Sequence, residues 1–128
     1  MTKTTVTDLQ ALNSMLEMGM WDNQRVQSLF DTLDSEPNAL LPHAMNLVAW
    51  SAFLLTKVGR DPFALRILLA CLAWSIENGK EKEEGPTLIG NIQHVLKKQG
   101  VQLDAGEIRR RAIERDYGNT ESWVFKSN

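Results

Sequence analysis

The chain has 128 residues, with 14 Lys+Arg against 16 Asp+Glu, a formal net charge of -2, 43% hydrophobic and 23% charged residues. That length and apolar fraction suit one globular domain burying roughly two thirds of its unfolded surface, and they exclude wholesale disorder. The near-neutral balance excludes a general attraction to nucleic acid or anionic membrane, and the single cysteine, Cys71, excludes an intrachain disulfide framework and a cysteine-built zinc site.

In chain order the signals are helical throughout. Residues 1–8 are polar, with no apolar run behind Lys3, so no secretory signal is expected and a cytoplasmic location is. Thr7-Asp8-Leu9-Gln10 reads as a capping box, followed by Leu9, Leu12, Met15 and Leu16 on one face of a helix over 8–19. Asp22 reads as the N-cap of a second helix over 23–34, with Val26, Leu29, Phe30 and Leu33 as its apolar stripe. Ser35-Glu36-Pro37-Asn38 is a turn by composition.

Pro42 suits the first turn of a third helix running to Val58, and Gly59 suits its stop. That helix carries two adjacent stripes, Leu41, Met45, Val48, Ala52, Leu55 and Leu47, Trp50, Leu54, Val58, which predicts burial along both. Asp61-Pro62 starts a fourth helix, apolar nearly all round from Phe63 to Ile76 and ending at Asn78-Gly79. The short link Gly59-Arg60-Asp61 predicts that residues 42–58 and 62–78 form a central antiparallel pair. A membrane hairpin is disfavoured. Pro42, His43, Asn46, Ser51, Thr56 and Lys57 interrupt the first stretch, and Arg66 interrupts the second, which is shorter than the ~20 residues a bilayer requires.

Lys80 to Glu84, followed by Gly85-Pro86, reads as a charged, solvated connector. A fifth helix is expected over 87–99, with Leu88, Ile89, Ile92, Val95 and Leu96 on one face and a stop at Gly100. Asp104-Ala105-Gly106-Glu107 reads as another capping box, stapled by Leu103 and Ile108, opening a sixth helix to about Tyr117 with Gly118 behind it. The expected architecture is all-α: a single-domain bundle of six helices over 1–118, then an aromatic tail over 119–128. Ala49-Trp50-Ser51 and Ala73-Trp74-Ser75 match at an offset of 24 residues, but the match does not extend and two copies do not make a solenoid.

Catalytic and cofactor motifs are missing from the sequence. It contains no nucleophile elbow, phosphate loop, His-Glu-x-x-His or Cys-x-x-Cys, so neither an enzyme nor a cofactor is expected. His43 and His94 have no carboxylate three or four residues away to orient them. Asp22, Asp31, Asp34 and Glu36 are explained by capping and solvation, and Cys71 by burial in an apolar helix.

Arg109, Arg110, Arg111 and Arg115 offer an alternative, a nucleic-acid-associated regulator with a basic helix behind a turn. Residues 101–128 carry five positive and five negative side chains, however, and Glu107–Arg111 and Arg110–Glu114 are spaced to pair along the helix. The leading expectation is therefore a small protein-binding module, an adaptor, chaperone-like cofactor or inhibitor, whose partner is another protein or a second copy of itself. The expected contact residues are the tail aromatics Trp123 and Phe125 and the corner formed by Met18, Met20 and Trp21.

Overall fold

A computed structural model describes residues 3–115, which form six α-helices and, among the described residues, no strand. They are α1 (Val6–Glu17), α2 (Asn23–Ser35), α3 (Leu41–Lys57), α4 (Asp61–Glu77), α5 (Glu81–Lys98) and α6 (Ala105–Ile113), with a 3₁₀ turn at Pro37–Ala39. No helix of the described residues is long and apolar enough to cross a membrane. The helices group into two compact units that divide between Arg60 and Asp61. The two apolar helices expected to pair are α3 and α4, and each finds its principal packing partner inside its own unit: α1 for α3, then α5 and α6 for α4.

In the first unit α1 starts two residues earlier than Thr7-to-Gln10 would place it. The box that forms is Thr5–Asp8: the Asp8 amide donates to Thr5 Oγ1 at 3.1 Å and the Thr5 amide donates to Asp8 Oδ2 at 3.0 Å. An ionised carboxylate is a stronger acceptor than the Gln10 amide and is favoured beside the helix N-terminus. Thr4 ties this entry to α2 by donating its amide to Thr32 Oγ1 at 2.8 Å.

Leu9, Leu12 and Leu16 are buried on the expected face, but so is Asn13. Its amide donates to the Leu47 carbonyl at 3.3 Å, and Ser51 Oγ donates to Asn13 Oδ1 at 2.6 Å, a polar crosslink between α1 and α3. Buried polar groups require such partners. Asp22 caps α2 as expected by accepting from the Arg25 amide at 3.1 Å, and Val26, Leu29, Phe30 and Leu33 are buried.

In α3 the backbone leaves helical geometry at Ala44 (φ -123, ψ 21), just after Pro42. One predicted stripe is buried at Leu41, Val48, Ala52 and Leu55. The other is not a second core face: Leu54 is buried, Leu47 and Val58 are half-buried, and Trp50 is 43% exposed. The cause is angular, because two residues at 100° each put Trp50 on the side opposite the fully buried Val48. The helix closes at Gly59, whose φ of +77 lets the Arg60 amide reach back to the Leu55 carbonyl at 2.8 Å.

In the second unit α4 is buried on almost every side. Ala64, Leu65 and every residue from Ile67 to Ser75 are inaccessible or nearly so, and Arg66 between them is half-buried. Asp61 opens the helix with a buried carboxylate that accepts from Gln99 Nε2 at 2.8 Å. The fully buried Ser75 hydroxyl has no hydrogen-bond partner among the described residues.

The expected connector at Lys80–Glu84 is instead the start of α5, which begins at Glu81, six residues ahead of the predicted position. Glu81, Glu83 and Glu84 stand in its first turn and Lys97 and Lys98 in its last, the arrangement the helix dipole favours at both ends. Pro86 therefore lies inside the helix, leaving the Lys82 carbonyl without its usual amide donor. Leu88, Ile92, Val95 and Leu96 are buried as the periodicity requires.

Asp104 caps α6 by accepting from the Glu107 amide at 2.8 Å, while the Glu107 carboxylate turns to Arg110 and Arg111 in place of closing a capping box. Ile108 and Ala112 bury the inner side of α6. This helix ends at Ile113, short of the predicted Tyr117, and Arg115 takes a left-handed φ of 56. Tyr117, Gly118 and the 119–128 segment lie outside the described residues.

Candidate functional site

The groups that could carry chemistry are dispersed. Among the described residues no cluster of three or more His, Cys, Asp or Glu side chains could hold a metal ion. His43 and His94 are exposed on different helices. Of the N-terminal acids, Asp22 caps α2 and pairs with Arg25 at 3.3 Å, while Asp31, Asp34 and Glu36 are exposed. Burial pushes the Cys71 thiol up to about 12, with the Glu84 charge adding to the effect, so Cys71 stays protonated and unreactive near neutrality.

A cleft of about 260 Å³ opens beside Lys3, Thr4, Asp8, Asp22, Gln24 and Arg25. It mixes both charge signs, and its carboxylates are already engaged. Hydrogen bonds from the Thr5 amide and hydroxyl hold the Asp8 carboxyl below its usual range, and Asp22 accepts from the Arg25 amide.

The four arginines of the alternative reading each meet a carboxylate. Arg109 donates twice to Glu81, at 2.5 and 3.1 Å, Arg110 bridges Glu107 and Glu114, Arg111 reaches Glu107 at 2.9 Å, and Arg115 reaches Glu77 at 2.7 Å. The pairs Glu107–Arg111 and Arg110–Glu114 are those the spacing predicts. Hydrogen bonds from Arg110 and Arg111 lower the Glu107 carboxyl to about 2.

The distinctive surface is apolar. Among the described residues the exposed large hydrophobic side chains are Met18, Met20, Trp50, Phe53 and Ile113, and four of these five belong to the first unit. Trp50 and Phe53, one turn apart on α3, stack with ring centroids 4.8 Å apart and planes 22° from parallel. The Trp50 indole N–H donates to Glu17 Oε1 at 3.3 Å, and Lys57 Nζ stands 5.1 Å from the Phe53 centroid.

Met18 follows Glu17 directly, and Met20 is held in place by the hydrogen bond that its backbone N–H donates to the Met15 carbonyl at 2.9 Å, across Gly19. Met18 is 69% exposed and Met20 47%. Trp21 is half-buried, with the Arg60 guanidinium 4.2 Å from its ring centroid. Sequence reasoning thus points to Met18, Met20 and Trp21, but it places Trp50 in the core and passes over Phe53. The available signal is the line Asn46, Trp50, Phe53, Lys57, spaced 4-3-4 with polar residues at both ends. Trp123 and Phe125 lie outside the described residues.

Compared with known proteins, the chain matches no family model, no curated protein and no solved structure.

Proposed function

We propose that this chain is a cytoplasmic protein-binding module that acts by contact and not by chemistry of its own, and that the outward face of α3 is its contact surface. The observation that carries this reading is the stacked Trp50–Phe53 pair, exposed at 43% and 45%. Two aromatics held rigidly against one another lose little side-chain entropy when a partner covers them, and such residues dominate interface energetics. Met18 and Met20 add adaptable apolar area beside Glu17.

The test is capture with the intact chain immobilised, comparing the native protein with the Trp50→Ala/Phe53→Ala double variant. The native chain should retain a protein that the double variant releases, while far-UV circular dichroism of the two chains stays superimposable. Equal retention by both would remove α3 from the binding surface.

A further inference from the structure

We infer that the partner seated on the α3 face is a second copy of this chain, an inference that rests on reading that face as a protein-binding surface. Asn46, Trp50, Phe53 and Lys57 are all exposed and follow the 4-3-4 spacing of a helix–helix seam. A two-fold axis passing between Trp50 and Phe53 makes the two seams antiparallel. Trp50 then meets the second copy's Phe53, and Lys57 meets the second copy's Asn46, with no like charges opposed.

The charges select this occupant over others. Residues 41–57 contain no Asp or Glu, and Lys57 is their one lysine or arginine. Glu17 sits at the Trp50 end of the aromatic pair and Lys57 at the Phe53 end. Two-fold rotation therefore brings each lysine toward the other copy's glutamate. An acidic partner would match Lys57 but oppose Glu17, and a basic partner would do the reverse. An anionic bilayer would find a single cation on α3 and a carboxylate beside it, too little for surface attachment. A single pair of crossing helices buries less than a standard interface, so the association is weak, with a dissociation constant of about 10 µM or higher.

Sedimentation equilibrium of the full chain between about 1 and about 500 µM reads this directly. The native protein should show a monomer–dimer equilibrium. Glu17→Lys alone and Lys57→Glu alone should each weaken it about tenfold or more, because each homodimer then opposes like charges twice. An equimolar mixture of the two variants should recover a mixed dimer, since both of its cross-copy pairs then set a lysine against a glutamate.

Both positions are exposed, and circular dichroism verifies that each variant folds.

A native chain that stays monomeric over the whole range, or a mixture that fails to recover, overturns the second copy as occupant. If the monomeric native chain still captures a different protein and Trp50→Ala/Phe53→Ala loses it, only this inference falls and the binding surface stands. If the double variant changes neither association nor capture, both fall.

Discussion

Ala49-Trp50-Ser51 and Ala73-Trp74-Ser75 are the same tripeptide in two helices of 17 residues each, yet their fates are opposite. Trp74 is 9% exposed and Trp50 43%. Ser51 is hydrogen-bonded to Asn13, whereas the equally buried Ser75 has no partner among the described residues. α4 buries 12 of its residues and α3 only 7. Local sequence dictates that both segments are helical. Which side of each is covered depends on what the rest of the chain lays against it.

The sharpest way to break this comparison is to truncate both tryptophans. Trp74→Ala should cost about 3–5 kcal/mol in urea unfolding, the range for emptying a packed aromatic site. Trp50→Ala should cost within about 1 kcal/mol, because much of its ring is already in water. Similar losses at the two sites would mean that Trp50 is a core residue.

The serines should differ in sign. Ser51→Ala leaves Asn13 Oδ1 without its donor and should destabilise by about 1–2 kcal/mol. Ser75→Ala removes a buried hydroxyl that has no partner among the described residues and should stabilise by about 1 kcal/mol. The same denaturant titrations measure both.

Cys71 sharpens the contrast chemically. Its thiol should resist a water-soluble disulfide reagent at pH 8 in the native protein and react in full once urea unfolds the chain. Rapid native labelling would show that α4 opens.

The smallest effect concerns Glu107. Its folded carboxyl is lowered to about 2 from an ordinary value of 4.5, so its contribution is fully present above pH 4.5 and is lost as pH falls toward 2. Melting temperature should therefore fall less between pH 6 and pH 3 in Glu107→Gln than in the native chain.

The elements were legible where their signals are local. Asp22 and Asp104 cap the helices the sequence assigns to them, and Gly59, Gly79 and Gly100 stop three helices with positive φ. The start of α5 was not legible, because Lys-Glu-Lys-Glu-Glu has the same composition in a solvated loop as in a helical first turn. The start of α1 was ambiguous because Thr5–Asp8 and Thr7–Gln10 are overlapping boxes, and acceptor charge favours the first. Of the surface, Met18 and Met20 follow from composition at a helix end. The exposure of Trp50 and Phe53 depends on which flank of α3 receives α1, and periodicity in one helix does not specify that.

The Asn13–Ser51 crosslink has a geometric consequence. Sliding α1 along α3 by one turn, about 5.4 Å, would strand the Asn13 amide among leucines, while Ser51 would keep only the Leu47 carbonyl of its own helix at 3.0 Å, so the pair acts as a detent that favours a single setting of the two helices. Glu17 lies one turn beyond Asn13, and its carboxylate meets the indole because that detent holds. An alteration deep between the helices would therefore shift the outer acid without touching it.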